Sequence, residues 1–341
     1  MRRGIEMKNK KYNISDIAKM LGVSESSVSR ALNGTPGISD ALRAKILAFI
    51  DEVGYRPNTL AQSLSKGRLN IIALILGDVR NPFYADLTFD IQRLLSESGY
   101  MVMLFNSEYD MTRELELIRL AEQFNFAGLI LITAKESSTT ARLQHLDMPV
   151  VLVNRILPHF DGSSVLLDNF KAGYIAVMHL LELGHSKIGF ISGHSVSSAS
   201  NQRYEGYRQA LSNFGLSFHE EHMYESDLKI ETGYQIAKDF VSQPEKPSAM
   251  IIVNDLTAIG FMDGCKQHGL CIPQNLSIVS FDNIRMSSLL GIELTTIDQH
   301  VDQMSEHAVA LMLKQLSSET HRPERIVLDP TLIVRKTTAP I

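Results

Sequence analysis

The sequence predicts a small all-α head followed by an α/β body made of two doubly wound, parallel-sheet lobes. Three observations predict it. Near-continuous apolar runs alternate with amphipathic stretches through most of the chain, the pattern of parallel strands covered on both faces by helices. That alternation occurs twice, so two lobes of similar size are expected with a cleft between them. The opening segment shows three short, capped helical patterns and no strand. At 341 residues the chain has length for two or three domains and a large buried core.

In the head, Ser15 is placed to cap a first helix through Leu21, with Ile17, Ala18 and Leu21 inward and Gly22 at the turn. Ser24 caps a second helix ending at Asn33-Gly34, and Ser39 caps a third running to Gly54 with Leu42, Ile46, Phe49, Ile50 and Val53 inward. Ala18, Gly22 four residues on and Val28 six further on have the helix-turn-helix spacing: a small residue for close approach, a glycine for the turn, a valine to bury beneath. Within GVSESSVSRALNG (22–34) the outward face carries Glu25, Ser26, Ser29, Arg30 and Asn33. Short serines permit close approach to a phosphate backbone, and an arginine reaches a guanine edge or a phosphate.

The segment RPNTLAQSLSKGR (56–68) is too polar for a core helix. Beyond it, strands are expected at 70–77, 100–105, 127–132 and 149–154, with helices at 83–98, 111–124 and 138–146. The alternation resumes with strands at 165–168, 187–192, 248–254 and 276–281, helices near 169–183, 200–214, 231–243 and 255–269, and a last strand at 331–335. The boundaries expected are 1–56 for the head, 57–68 for a linker and 69–341 for the body. The first lobe takes about 69–167 and 299–327, the second about 168–298 and 328–341.

The net charge of −5 hides an asymmetry: residues 1–68 hold 12 basic and 6 acidic side chains, the other 273 residues 21 and 32. A basic head on an acidic body suits a polyanion partner for the head alone. No apolar run is long enough to span a membrane and MRRGIEMKNKKYNISD has no hydrophobic signal segment, so a cytoplasmic protein is expected. Cys265 and Cys271 are read as reduced thiols, and no metal or other cofactor is expected. An enzyme is the rival class for a two-lobed cleft. No GxSxG elbow, Walker loop or GxGxxG after a strand supports it, so a non-enzyme is expected. A secreted solute-binding protein is the third class and would require export.

Together ISDIAKMLGVSESSVSRALNG, VGYRPNTLAQSLS, NPFYADL, LLELGHSKIGFISG, RYEGYRQAL, VNDLTAIGFMDGCKQHGLCIPQNLSIVSFDN and LTTIDQ resemble the lactose-repressor (LacI/GalR) family of bacterial transcription regulators over nearly the whole chain. The body pieces are shared with periplasmic sugar-binding proteins of type I. The resemblance implies a homodimer placing two heads on a pseudo-palindromic DNA operator, with repression modulated by a small effector, a sugar or sugar derivative. It puts Glu25 and Ser26 at base-reading positions and Arg30 at a third. Glu25 either accepts from cytosine N4 or, facing water, complements the helix dipole. Asn13, Ser24, Ser29, Asn33, Ser39, Tyr55 and Asn58 fall where the family touches backbone or positions the head. Residues 58–65 match its hinge helix, with Leu64 as the minor-groove wedge and Ala61 and Gln62 beside it, folding on DNA.

For the cleft the resemblance implies an effector set of Asn81, Phe83, Arg155, Asp168, Asn201, Arg203, Asn254, Asp282 and Gln299. Arginine, aspartate and asparagine flanking an aromatic suit a polyhydroxylated ligand, whose hydroxyls each donate and accept. Bland readings stand beside it: Asn254-Asp255 as a helix cap, Asp168-Asn169 as a turn, Phe83 as core. Asn154 in place of an acid and Asn201 in place of an arginine depart from the pentose binders and put ribose in question. Tyr204, Tyr207 and His185 are read as structural. Dimerisation is expected through the helices at 83–98 and 111–124. The effector would act by favouring one lobe closure and so setting the spacing of the two hinge helices.

Overall fold

The computed structural model of the protein describes residues 12–55, 68–132, 137–193, 197–317 and 322–341. The chain divides into two compact units, Met1–Leu69 and Asn70–Ile341, each described by itself.

The first unit holds α1 (Ile14–Leu21), α2 (Glu25–Asn33) and α3 (Asp40–Glu52). Ser24 and Ser39 cap α2 and α3 as expected, but Asn13 rather than Ser15 caps α1. Asn13 Oδ1 accepts from the Asp16 amide at 2.8 Å, and the Asp16 carboxylate accepts from the Asn13 amide at 3.1 Å. This reciprocal box satisfies two end donors at once, which a cap at Ser15 would forgo. Gly22 takes φ +67° and returns its N–H to the carbonyls of Ala18 and Lys19, closing the turn. Ile17, Ala18, Val28, Ala31, Ile46 and Ile50 form the buried core. Leu42, Phe49 and Val53, expected inward, are only half-buried.

The second unit contains two six-stranded sheets. In chain order its elements are β1 (Leu69–Leu76), α4 (Pro82–Glu97), β2 (Met101–Asn106), α5 (Met111–Gln123), β3 (Phe126–Leu131), α6 (Ser137–Leu143), β4 (Val150–Val153) and β5 (Ser163–Leu167). Then follow α7 (Asn169–Glu182), β6 (Ile188–Ser192), α8 (Ser198–Asn213), β7 (Met223–Glu225), α9 (Ile230–Ser242), β8 (Ala249–Ile252), α10 (Asp255–Gln267), β9 (Ser277–Asp282) and β10 (Thr295–Asp298). The last elements are α11 (Val301–Ser317), β11 (Arg325–Leu328) and β12 (Thr331–Ile333). Sheet orders are β11-β5-β4-β3-β1-β2 and β12-β10-β9-β8-β6-β7. In both sheets the strand order switches sense, between β1 and β3 and between β6 and β8, and at such switch points a crevice opens at the carboxyl ends.

Three sequence expectations are corrected here. The run VLLD lies in the first sheet: Val151 pairs with Ser163 and Leu167 with Leu328, so the chain enters the second lobe only after it. Strand β12 is antiparallel to β10, because the chain returns from the first lobe and meets the sheet from the opposite end. Strands β7, β10 and β11 and helix α11 were not expected, since β7 is short and half-exposed and β11 is a partly exposed edge whose period is weak. The chain crosses between lobes three times, at Leu167–Asn169, Asp298–Val301 and Leu328–Thr331. The crossings are tied together: Asp168 N–H donates to Leu328 carbonyl at 2.9 Å, and Lys171 Nζ reaches Asp329 at 2.7 Å. No helix among the described residues is long and apolar enough to cross a membrane.

Helices α7 and α8 approach until their backbones touch. A Cβ on Gly173 would lie 2.0 Å from the Arg203 carbonyl oxygen, and one on Gly206 2.0 Å from that of Phe170. Gly173→Ala therefore forces the helices apart and is expected to cost about 1–3 kcal/mol or more. Urea denaturation should show a lowered midpoint, and an unchanged midpoint would mean that the helices separate freely.

Candidate functional site

Two surfaces carry candidate chemistry. In the first unit, α2 buries Val28 and Ala31 and exposes Glu25, Ser26 and Arg30, with Ser29 half-buried. The Ser24 hydroxyl is engaged with those of Ser26 at 2.8 Å and Ser27 at 2.9 Å and accepts from the Ser27 amide, so it holds the helix start. Asn13 and Ser39 are likewise engaged as caps. Tyr55 is half-buried against the three-helix core, and desolvation raises the pKa of its hydroxyl. The Arg30 guanidinium lies along Gly37, 3.4 Å from where a Cβ would stand, and no carboxylate among the described residues pairs with it. The exposed face is thus a free cation beside short hydroxyls on an unstrained, well-capped helix. The side chain of Asn33, and Asn58, Ala61, Gln62 and Leu64 altogether, lie outside the described residues.

The second surface is a narrow cavity of about 40 Å³ at the carboxyl ends of the strands, between the lobes. Asn81 and Phe83 open α4 after β1, and Arg155 follows β4. Arg203 comes from α8, Asn254 caps α10, Asp282 ends β9 and Gln299 lies on the second crossing. These seven of the nine sequence-derived residues line the cavity. The other two do not: Asp168 caps α7 by accepting from the Lys171 amide at 2.8 Å, and Asn201 is exposed on α8. The bland readings hold alongside, for Asn254 also accepts from the Thr257 amide at 3.2 Å and Phe83 is also core. Sequence reasoning missed Tyr84, Ser197, Ser200 and Leu228, and it noted Asn154 only as a departure. Tyr84 adjoins Phe83 in the quoted motif, a signal that was available; Leu228 sits in a loop with none.

A line of hydrogen bonds runs through the cavity wall. Gln299 Nε2 donates to Asp282 Oδ1 at 2.5 Å, Asn154 Nδ2 to Gln299 Oε1 at 2.6 Å, and Asn169 Nδ2 to Asn154 Oδ1 at 3.0 Å. Arg203 Nε then donates to Asn169 Oδ1 at 2.9 Å, and its Nη1 to the Val253 carbonyl at 2.7 Å. Asn154 stands at the end of a first-lobe strand while Asn169, Arg203 and Asp282 belong to the second, so the line joins the lobes. Ile156 N–H to Ser198 Oγ at 3.0 Å joins them again. Asp282 has φ +115° and Asn154 φ +53°, left-handed conformations that the surroundings must hold. Beneath Asp282, Asp255 is fully buried and accepts from the Ile284 amide at 2.9 Å, Ser287 Oγ at 2.5 Å, Thr296 Oγ1 at 2.7 Å and the Ser280 hydroxyl. Those bonds fix the turn that carries Asp282.

Burial dominates the electrostatics. Desolvation pushes the Asp282 carboxyl up to about 8 against the pull of Arg203, and lowers Arg203 to about 10. Just after β1, Asp78 accepts from Arg80 at 2.9 and 2.7 Å, and its carboxyl is held below the usual range by that hydrogen bonding.

Residues read as structural are placed so. Tyr207 donates to the Ile188 carbonyl at 2.8 Å, Tyr204 stacks beside it, and His185 is buried with its ring nitrogens 2.9 Å from the Ser248 and Ser277 hydroxyls. Two histidine spacings look ligand-like and gather no metal set. In His219-Glu-Glu-His222 the first ring nitrogen contacts Glu221 at 3.1 Å while His222 is buried in the turn. His268 lies three residues from both cysteines, but Cys265 is buried, Cys271 is exposed and His268 bonds the Gly264 carbonyl. Among the described residues no group of three or more His, Cys, Asp or Glu could hold a metal ion.

A helix-turn-helix unit with an exposed reading face, together with a two-lobed body closing on a polar cavity, defines a ligand-responsive DNA-binding protein. Residues 13–58 match the model for bacterial regulatory proteins of the lacI family, and residues 70–336 that for periplasmic binding proteins and the sugar binding domain of the LacI family. The chain belongs to the LacI family, which is made of DNA-binding transcriptional regulators. It is 30% identical to the HTH-type transcriptional regulator DegA of Bacillus subtilis over 97% of this chain and 99% of that one. It is 32% identical to the NTD biosynthesis operon regulator NtdR of the same organism, over 95% and 99%. In fold it is similar to the lac repressor dimer bound to operator and the anti-inducer ONPF, with a TM-score of 0.87 at 22% identity over 97% of this chain and 100% of that one.

Asp282 binds a proton more readily in the folded than in the unfolded chain, so its contribution to stability is present at low pH and is lost as pH rises through about 8. Asp282→Asn is accordingly expected to be more stable than the parent at pH 8, with the difference vanishing near pH 4. Paired urea titrations across that range check it, and a constant difference would show that folding leaves the Asp282 titration unshifted.

Proposed function

We propose that the protein is a bacterial transcriptional repressor that binds a pseudo-palindromic operator as a homodimer and changes its operator affinity when a sugar derivative occupies the interlobe cavity. The observation that carries the reading is the hydrogen-bonded line from Asp282 through Gln299, Asn154 and Asn169 to Arg203. It makes the cavity wall and the lobe-to-lobe contact the same set of side chains. A ligand that bonds to these groups shifts the lobe angle by its differential affinity for the two closures. The cavity binds its ligand without converting it, and the protein acts in the cytoplasm.

In the head, Glu25, Ser26 and Arg30 are assigned to base edges, with Asn13, Ser24, Ser29, Asn33, Ser39, Tyr55 and Asn58 at the backbone. Ala61, Gln62 and Leu64 are assigned to the minor groove. The lac repressor structure, a dimer bound to operator, supports this reading. An apolar surface on the first lobe supports pairing through the body: Phe89 on α4 is 69% exposed, Met101 on edge strand β2 70% and Phe124 after α5 56%. An exposed edge with large apolar side chains is one that proteins cover.

Purified protein mixed with fragmented genomic DNA, with and without sugars, is expected to retain one palindrome whose retention a single sugar changes. No enrichment at low salt, where basic heads bind best, would overturn the DNA-reading assignment. On the enriched site Arg30→Ala is expected to cost about 1–3 kcal/mol of specific binding while leaving effector binding unchanged. Fluorescence anisotropy at fixed salt measures this, and parental affinity in the variant would remove Arg30 from the reading face.

A further inference from the structure

Two short runs repeat one pattern, an acid and a base two residues apart that pair with each other. Asp78-Val79-Arg80 lies between β1 and α4 in the first lobe, and Asp227-Leu228-Lys229 between β7 and α9 in the second. Arg80 Nη2 is 2.7 Å from Asp78 Oδ2, and Lys229 Nζ is 2.7 Å from Asp227 Oδ2. Each run stands beside the cavity, because Asn81 follows the first, Leu228 is the middle of the second, and both line it. Among the described residues no ion pair within 4.0 Å joins one run to the other, and Glu231, exposed at the start of α9, has no ion pair at all.

The two runs nevertheless act on each other. The Asp78 carboxyl is lowered first by its hydrogen bond from Arg80, and the Lys229 charge of the other lobe lowers it further. Arg80 is raised first by Asp78 and also by Glu231, again from the other lobe. Lys229 is raised mainly by Asp227, and the charges of both Arg80 and Asp78 reach it.

Exchanging partners costs little. The Arg80 side chain is 75% exposed and swings away from Asp78 without repacking the core. Asp78 then keeps the Arg80 amide, which donates to it at 3.0 Å, and can accept from Lys229. Asp227, released by Lys229, keeps the Thr232 hydroxyl that donates to it. Arg80 gains Glu231, an acid without a partner in the present pairing. Two ion pairs exist before the exchange and two after it, and exposed pairs are individually weak, so neither arrangement is strongly preferred on charge alone.

We propose that these residues form an ion-pair latch between the lobes, in which the pairs Asp78–Arg80 and Asp227–Lys229 exchange for Asp78–Lys229 and Arg80–Glu231 when the lobes close further. The latch draws Leu228 toward Asn81, and it makes closure over the cavity sensitive to ionic strength. It depends neither on what the cavity binds nor on DNA reading.

The test is zero-length coupling of the full chain with a water-soluble carbodiimide, which joins a carboxylate to a lysine amine only where the two touch. Peptide mass mapping then shows which acid Lys229 has joined. At about 0.01 M salt, where charges are screened over about 30 Å, both Lys229–Asp227 and Lys229–Asp78 products are expected. At about 1 M salt, with screening over about 3 Å, the share of Lys229–Asp78 should fall severalfold. Glu231→Gln should lower that share severalfold, because Arg80 then has no second acid to join. Arg80→Gln should raise it, because Asp78 is set free. Coupling of Lys229 to Asp227 alone at both salt concentrations overturns the latch. So does a Lys229–Asp78 product that neither salt nor the two variants change, since that would reflect nearness without exchange. Thermal melting checks that the variants fold, and the salt dependence of the parent protein decides if one does not.

Discussion

The body is organised around one requirement: polar side chains buried between the lobes must find partners, and they find them in each other. Gln299, Asn154 and Asn169 each donate with their amide nitrogen and accept with their amide oxygen, so the line from Arg203 to Asp282 runs in a single direction. Reversing any amide would set donor against donor. Removing one would strand its neighbours in a low-dielectric wall, at the cost of an unmade hydrogen bond to a buried group. The lobes therefore have a defined relation in this closure, and a ligand that enters must engage or replace these same bonds.

Much of the surrounding architecture serves to hold that line. The touching backbones of α7 and α8, permitted by Gly173 and Gly206, bring Arg203 under Asn169. Asp255, satisfied by four donors, secures the turn in which Asp282 takes its left-handed conformation. The first and third crossings are bound through Asp168, Leu328, Lys171 and Asp329, and the second and third through His300 and Thr331, so the three lie side by side. Strain at the strand ends and a tight hydrogen-bonded line together describe a preorganised site.

The head depends on a simpler constraint. Its three helices are short and bury few side chains, so each start is secured by a cap: Asn13 with Asp16, Ser24, and Ser39. With the underside of α2 committed to Val28 and Ala31, the opposite face is left polar and open, and Arg30 stands there without an acidic partner among the described residues. A family of DNA-binding regulators is consistent with that face, and the asymmetric charge of the chain reinforces it.

What the sequence determined by itself was local and periodic. Apolar runs and capping residues located most strands and helices to within a few residues, and the Ala18, Gly22 and Val28 spacing specified the head, because these features depend on near neighbours in the chain. The family resemblance also brought seven cavity residues into view. Only the tertiary structure decided which sheet takes VLLD, that β12 runs antiparallel, and that Asp168 turns to cap α7 while Asn154 and Asn169 meet in the cavity wall. Those outcomes rest on contacts between residues far apart in sequence, such as Asn154 with Gln299. Periodicity carries no record of them, since it reports which face of an element is buried and not what lies across from it.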